Sequence, residues 1–427
     1  MRAIRFQTAC LCSLVIMASS AYGATYYVST SGGGDCWSWG NACALPTALT
    51  NASGGDQIWV KAGTYGPIEL KNAVKVIGGF AGSESSASQS DPVGNVTIID
   101  GGGSARCVSS EDHAASTVLR GFTIKNGVED SLDGGGGGLA MVSSSAQIVQ
   151  CVFENNTAEW WGGAVTIRGS GSPQFVNCTF RNNGWVDSQD NTNVKPIAGS
   201  AVFLEGGSPT FTNCLFHGNK SGDGAVIAID TGTPTFLNCT MVGNEATVGS
   251  GGAVHDEGGQ AVIRNSILWG NTAARYGGNI FNGPFGATTV TYSDVEGGFS
   301  GTGNVSGDPQ FEDAGAGDYR IKATSPCKNT GRNSDLPLDV ADLDFDGNTS
   351  ETLPKDLLRN PRKLYTTVDM GALEYMECDE DSDCTVFPKL LCRMTDRVCV
   401  HCLNDGQCPS GYFCQPDGTC AQAGGWE

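Results

Sequence analysis

A six-residue phrase recurs along the middle of this chain, and no other feature of the sequence constrains the fold as strongly. Its copies begin and end with an apolar residue and carry cysteine or serine at the fourth position. They occupy residues 148–153, 175–180, 211–216, 236–241 and 263–268, after a degenerate copy at 119–124. The fourth positions, 122, 151, 178, 214, 239 and 266, lie 29, 27, 36, 25 and 27 residues apart. Steps of this size predict the coils of a solenoid, with an insertion at 185–195 in the longest coil.

A second phrase, Gly-Gly-Ala-Val or a variant of it, precedes each copy of the first. It is found at residues 162–165, 199–202, 223–226, 251–254 and 277–280. Each coil therefore carries at least two short strands in which buried and exposed residues alternate. Strands of successive coils are expected to stack in parallel about 4.8 Å apart around a narrow apolar core. The predicted fold class is all-β.

Two columns of polar residues accompany the cysteine column. The position before the cysteine holds Asn or Gly in most coils, which indicates a left-handed backbone conformation at a tight bend. Its members are Gly121, Gln150, Asn177, Asn213, Asn238 and Asn265. Five residues after the cysteine lie Asn156, Asn183, Asn219, Asn244 and Asn271. These side chains are expected to hydrogen-bond from coil to coil inside the turns.

Both ends of the chain differ from the repeats in composition. Arg2 and Arg5 precede an apolar run and a small-residue stretch, so residues 1–23 are predicted to be a cleaved secretory signal. The run is too short to span a membrane, and no membrane span is expected. Residues 24–375 are assigned to the solenoid and 376–427 to a small disulfide-rich module. The protein is therefore expected outside the cell or at the cell surface.

The cysteines fall into sets with different expected chemistry. Cys36 and Cys43 lie close together and are predicted to pair. In the column of Cys151, Cys178, Cys214 and Cys239, buried free thiols are favoured over disulfide bonds. Four disulfides of unspecified pairing are expected in the tail, among Cys378, Cys384, Cys392, Cys399, Cys402, Cys408, Cys414 and Cys420.

The negative net charge of the chain limits the classes of molecule that are expected to bind it. The chain contains 45 acidic and 25 basic residues, a formal net charge of −20. Nucleic acid and anionic membranes are excluded as partners by this balance. An extracellular glycan or a surface protein remains.

Several phrases resemble those of a known group. They are Tyr-Tyr-Val at 26–28, Gly-Gly-Phe-Ala-Gly at 78–82, the Asn-Cys-Thr-Phe and Gly-Gly-Ala phrases, Asp-Pro-Gln-Phe at 308–311 and Val-Asp-Met-Gly-Ala at 368–372. Together they resemble the pectate-lyase-like superfamily and, within it, proteins with repeats like those of bacterial polymorphic outer-membrane proteins. The resemblance covers about residues 25 to 375. It implies a right-handed parallel β-helix and does not specify an activity.

One predicted face of the solenoid brings ionisable and aromatic residues together. The strand residues after the second phrase form an outward column that includes Thr166, Phe203, Ile227, His255 and Phe281. The candidate catalytic residues on this face are Arg168, Glu205, His255 and Glu257, because a lyase needs a base and a cation to stabilise an enolate. The candidate sugar-binding residues are Trp160, Trp161, Phe203 and Tyr276. An ordinary solvent-facing surface is the alternative interpretation.

A second candidate is an acidic segment near the end of the solenoid. Asp342, Asp344, Asp346 and Asn348 alternate around Gly347, an arrangement that can place oxygen ligands around calcium. An EF-hand would have an acid at the twelfth position of the loop, where this chain has Leu353. Calcium is the candidate cofactor, and a plain turn is the alternative.

Two classes of function follow. The first is a secreted or cell-surface protein that binds extracellular polysaccharide or partner proteins and has no enzymatic activity. The second is a polysaccharide lyase or glycoside hydrolase that acts on an acidic polysaccharide. The polygalacturonase Gly-His-Gly segment is missing from the sequence, and Arg320-Ile321-Lys322 lies in the closing phrase. Fold analogy cannot choose between the two classes.

Overall fold

The chain winds into a solenoid with three parallel β-sheets along its length. The computed structural model describes residues 23–131, 134–184, 198–222, 225–363 and 366–376, and the backbone of four short strands beyond them. In each coil the chain passes from the first sheet through the second to the third, and every strand pairs in parallel with its counterpart in the next coil. The predicted parallel solenoid is confirmed.

Sheet 1 has ten strands and runs the full length of the solenoid. Its strands are Thr25–Val28, Gln57–Lys61, Lys75–Phe80, Val118–Arg120, Gln147–Val149, Gln174–Val176, Thr210–Thr212, Thr235–Leu237, Val262–Arg264 and Thr289–Thr291. Sheet 2 has nine strands. These are Gly63–Tyr65, Thr97–Asp100, Phe122–Lys125, Val152–Glu154, Thr179–Arg181, Leu215–His217, Thr240–Val242, Ile267–Trp269 and Asp294–Val295.

Sheet 3 has eight strands and carries the predicted functional face. Its strands are Ile68–Glu69, Val108–Glu111, Leu139–Val142, Val165–Arg168, Val202–Glu205, Ile227–Thr231, Val254–Asp256 and Ile280–Asn282. Two small parallel sheets lie in the turns that lead into it. They comprise Val128–Glu129 with Thr157–Ala158, and Lys220–Ser221 with Glu245–Ala246 and Thr272–Ala273.

The bend between sheets 1 and 2 is a single residue in the left-handed conformation. Gln150 has φ 52°, Asn177 φ 54° and Asn213 φ 51°, and the same value recurs in later coils. The amide side chain tolerates this conformation better than most residues, which explains why asparagine recurs there. The sequence-based interpretation of this column is confirmed.

Stacked rings fill the core. Phe153 lies on Phe180 at 4.9 Å between ring centroids, and Phe180 lies on Phe216 at 4.5 Å. These separations match the rise from one coil to the next, so each ring packs on its equivalent. The thiols of Cys151, Cys178, Cys214 and Cys239 are buried and free beside them, as predicted. Burying each phenylalanine contributes roughly 2–3 kcal/mol relative to leaving it exposed.

Asparagines of the second column form a continuous hydrogen-bond ladder. The amide Nδ2 of Asn183 donates to Oδ1 of Asn219 at 3.0 Å and to the carbonyl oxygen of Phe153 at 2.9 Å. The backbone N–H of Asn183 donates to the same Oδ1. Asn219 repeats this pattern with Asn244, so buried turns keep their polar groups satisfied.

The N-terminal coil is covered by a short cap. It contains the 3-10 helix Trp39–Asn41 and the α-helix Leu45–Asn51, and a disulfide joins Cys36 to Cys43 as predicted. A further 3-10 helix, Ala87–Gln89, lies outside sheet 1. The cap shields the open edge of the first strand, which a bare terminal coil would expose.

After the last coil the chain turns back along the solenoid. We call residues 329–363 and 366–375 the strap. The antiparallel strands Phe311–Asp313 and Asp318–Ile321 and the 3-10 helix Ala314–Ala316 precede the strap. The 3-10 helix Asn333–Asp335 lies near its beginning. The strap lies along the left-handed asparagine column, because Asn177 Nδ2 donates to the carbonyl oxygen of Asp356 and Asn213 Nδ2 to that of Lys355.

Two antiparallel strand pairs are described in the C-terminal module. They are Leu391–Arg393 with Val398–Val400, and Tyr412–Cys414 with Cys420–Gln422. The predicted disulfide bonds of the tail, and residues 1–22 of the predicted signal, lie outside the described residues. Among the helices that the structure describes, none has the length and apolar composition needed to cross a membrane.

Candidate functional site

The outward face of sheet 3 holds most of the candidate residues, because the strands stack in register. Arg168 lies opposite Glu205, and Thr166 opposite Phe203. The next strand slips by one residue from the predicted alignment: Ile227 pairs with Val202 in the inward column, so Ala228 takes the outward place beside Phe203. A bulge before Thr231 follows this shift and leaves the predicted column interrupted. The prediction that Ile227 faces outward was therefore wrong.

The first ionisable pair on this face is Arg168 with Glu205. Arg168 Nε donates to Glu205 Oε2 at 2.9 Å, and Arg168 Nη2 donates to the carbonyl oxygen of Gly134 at 3.2 Å. Both side chains are partly accessible to solvent. The guanidinium is thus held in one orientation against the sheet, with an accepting carboxylate at its side.

The second pair is His255 with Glu257. His255 Nε2 lies 3.1 Å from Glu257 Oε2. The Phe281 ring meets the imidazole edge-on at 5.0 Å, and Tyr276 stacks on Phe281 at 6.0 Å. Tyr276 is 68% exposed. A carboxylate, an imidazole and an open aromatic ring therefore adjoin one another at the end of the face.

The two pairs do not form one centre. His255 pairs with Ala228, which pairs with Phe203, which pairs with Thr166 on the strand of Arg168. Three coil steps place His255 about 14 Å from that strand. A base and a cation so far apart cannot act on the same sugar ring.

The predicted aromatic residues differ in accessibility. Trp161 stacks on Phe203 with 4.7 Å between ring centroids, and Phe203 is only 6% exposed beneath it. Phe203 is thus placed to support the indole, and it presents little surface of its own. Trp160 and Trp161 are half-buried, so Tyr276 offers the most open ring of the four.

The acidic segment gathers more ligands than the sequence predicted. Asp342, Asp344 and Asp346 have carboxylate oxygens within 4.8 Å of one another. A second group combines Asp344 with Asp339 and Glu351, two residues outside the predicted set. Asn348 Oδ1 instead accepts hydrogen bonds from Ser350. Glu351 stands at the tenth position of the loop, so the EF-hand criterion of an acid at the twelfth position does not identify it.

A cleft of about 510 Å³ lies between sheet 2 and the returning chain. Arg181 and His217 line it from sheet 2, and Tyr319, Arg320 and Arg359 line it from the other side. The Tyr319 hydroxyl lies 3.4 Å from His217 Nδ1. Sequence reasoning missed this cleft, because its two walls come from distant parts of the chain and share no motif.

The environment of the cleft shifts the pKa values of two side chains that line it, His217 and Tyr319. Burial lowers the pKa of His217 below its ordinary value, and the positive charge of Arg181 lowers it further. Burial also raises the pKa of Tyr319. At neutral pH the cleft therefore presents an uncharged imidazole and a protonated phenol among arginine side chains.

A family model for the right-handed β-helix region matches residues 88–293. This chain contains a right-handed parallel β-helix. Among solved structures, the pectate lyase Pel9A is 15% identical, with a TM-score of 0.37, and the match covers 83% of this chain and 97% of that chain. No curated protein matches the sequence.

The β-helix thus carries two surfaces of opposite character. Along the sheet 3 face, the exposed acids Glu205, Asp230 and Glu257 outnumber two guanidinium groups, that of Arg168 and that of the exposed Arg275 beside Tyr276. The cleft is lined by three arginines and one acid, Asp318, which pairs with Arg320, while Arg181 pairs with Glu154 outside the cleft lining and Arg359 completes the set. The face favours an uncharged ligand with hydroxyl donors, and the cleft favours an anion.

Proposed function

We propose that this protein binds extracellular polysaccharide along the sheet 3 face. The observation that carries the proposal is the open Tyr276 ring next to Phe281 and the His255–Glu257 pair. An aromatic face packs against the apolar face of a sugar ring, and a carboxylate accepts hydrogen bonds from its hydroxyl groups. A flat sheet of repeated coils suits a chain of repeated sugars.

The charge of the face selects the class of polysaccharide. Three exposed acids would repel a polyuronate, whereas a neutral glycan brings no charge and donates hydroxyl hydrogen bonds to them. We therefore propose a neutral polysaccharide as the ligand of the face.

We place this activity outside the cell or at its surface. The support is the signal-like sequence of residues 1–23, the Cys36–Cys43 disulfide and the cysteine-rich residues 376–427, because disulfides persist in oxidising compartments. In this proposal residues 24–375 bind the glycan, and the cysteine-rich module attaches or protects the protein.

Affinity electrophoresis on neutral and acidic polysaccharides, with and without calcium, tests the proposal. We expect retention by a neutral glycan such as xylan or a β-glucan. Tyr276→Ala should weaken binding about five- to tenfold, and Tyr276→Phe should keep most of it, because the ring makes the contact. Trp37→Ala, which removes an exposed ring on the cap, is the matched control. Unchanged retention of Tyr276→Ala would exclude this face.

A second function, polysaccharide lyase or glycosidase activity, is favoured by the cleft rather than by the face. An uncharged His217 is able to accept a proton, and Arg181 and Arg359 are able to stabilise a uronate carboxylate and the enolate formed from it. Tyr319, whose hydroxyl lies beside the imidazole, would be the proton donor to the leaving sugar.

Incubation with polygalacturonate or alginate tests this second function. A lyase would release unsaturated uronate products that absorb in the ultraviolet, and a hydrolase would release reducing ends alone. His217→Ala should abolish either activity, while His255→Ala should leave it unchanged. Activity that depends on His255 and not on His217 would move the reaction to the face.

A further inference from the structure

Two carboxylate oxygens in the acidic segment are buried without a hydrogen-bond partner among the described residues. Asp339 is 0% exposed; its Oδ2 accepts the backbone N–H of Leu343 at 2.8 Å, and its Oδ1 has no partner. Glu351 Oε1 is likewise buried and unpartnered. A buried carboxylate oxygen without a partner strongly destabilises a fold unless a positive charge offsets it.

Both orphan carboxylates belong to the same cluster. Ligand oxygens of Asp339, Asp344 and Glu351 lie within 4.8 Å of one another, and Asp344 also joins Asp342 and Asp346. Within the described part of the chain, none of these five acids forms an ion pair with lysine or arginine. The buried guanidinium of Arg120 attracts Asp339 and Asp342 electrostatically without pairing with either carboxylate, so it offsets the charge of the five acids only in part.

We propose that Asp339, Asp344 and Glu351 bind a calcium ion, with Asp342 and Asp346 at its outer side. Calcium takes six to eight oxygen ligands at about 2.3–2.6 Å in flexible geometry, and oxygens within 4.8 Å of one another can share one such ion. Magnesium prefers a smaller octahedral shell with several waters, which five crowded carboxylates do not suit. An EF-hand loop here would begin at Asp342 and end at position 353, where the chain has Leu353. The proposed ligand set instead begins at Asp339 and ends at Glu351.

The ion would fix the far end of the strap to the solenoid. Arg120, in sheet 1, donates to the carbonyl oxygens of Ala341, Asp342 and Leu343, and its guanidinium lies over the Phe345 ring at 3.9 Å. Leu343 and Leu353 pack on Val149 and Val176 of sheet 1. Calcium would thus join Asp339 and Glu351 at the two ends of this loop, and Arg120 holds the residues that follow Asp339.

Calorimetric titration of the chelator-treated full chain with calcium chloride, and separately with magnesium chloride, tests the site. We expect calcium binding with a rise in Tm of about 5 °C or more over the protein in chelator, and weaker binding of magnesium. Asp339→Asn and Glu351→Gln should each weaken calcium binding about tenfold or more. Asp112→Asn, a change at an exposed acid with positive φ, is the matched control.

A second readout covers the case in which a variant folds poorly. In chelator, Asp339→Asn should melt at or above the wild-type temperature, because it removes an unpartnered buried charge. Calcium should also protect residues 339–353 of the wild type from hydrogen exchange. The absence of calcium binding by the wild type, or undiminished binding by the Asp339→Asn/Glu351→Gln double variant, would overturn the proposal.

Discussion

His217 shows how one side chain reports on its surroundings. It leaves sheet 2 at the edge of the cleft, with the Tyr319 hydroxyl beside Nδ1 and Arg181 on the neighbouring strand. Arg181 is itself paired with Glu154. Burial and the adjacent positive charge both favour the neutral imidazole, so the protonation state of this residue is a direct measure of the environment of the cleft.

We predict that NMR titration of the folded protein will give His217 a pKa below that of a free histidine. The folded protein holds the neutral imidazole where the unfolded chain, with a pKa of about 6.5, already takes up a proton. The contribution of His217 to stability is therefore complete above that pH and is lost as pH falls toward the native pKa. Arg181→Gln should raise the His217 pKa, and a wild-type pKa at or above the ordinary value would contradict this account.

At the scale of elements, the strap depends on a buried charge cluster. Arg362 is 0% exposed; its Nη2 donates to the carbonyl oxygens of Asp369 and Gly371, and its Nε lies 3.5 Å from Glu374. Asp356, Asp369 and Glu374 surround it, and burial raises the pKa of each. The positive charge of Arg362 opposes part of this rise in all three acids. The cluster is therefore held together by one buried cation.

We predict that Arg362→Leu lowers the free energy of unfolding by about 3–5 kcal/mol, because it leaves buried acids unpaired. Lys363→Ala, at the exposed neighbouring position, should change it by less than about 0.5 kcal/mol. Urea denaturation followed by circular dichroism measures both. Adding Glu374→Gln to Arg362→Leu should recover part of the loss; a near-neutral Arg362→Leu variant would show that the strap does not rely on this cluster.

At the scale of the molecule, the parts that sequence could predict are those that repeat. The column from Asn177 to Asn265 and the ladder from Asn156 to Asn271 follow from a period of about 27 residues, since equivalent positions stack whatever lies between them. The prediction misplaced Ile227 by one residue. The sequence of residues 223–226 resembles the second phrase, but Ile227 and not Val226 pairs with Val202.

The parts that sequence could not predict depend on contacts made once. The strap lies on the solenoid through pairs such as Asn213 with Lys355, which no periodicity relates. Asp339 was not predicted as a calcium ligand for the same reason. It becomes buried only when the strap folds back on the solenoid. Arg168 and Glu257 were expected on one face over about four coils, and the pairing of the strands shows that this spacing leaves them three coil steps apart.

Hydrogen exchange of the whole protein, with and without a saturating neutral oligosaccharide, tests the central claim most directly. We predict slower exchange in the turn at 274–279 and in strands Val254–Asp256 and Ile280–Asn282, since the glycan would cover the sheet 3 face around Tyr276. Protection at Leu215–His217 and 357–359, with sheet 3 unchanged, would contradict the account and place the ligand in the cleft.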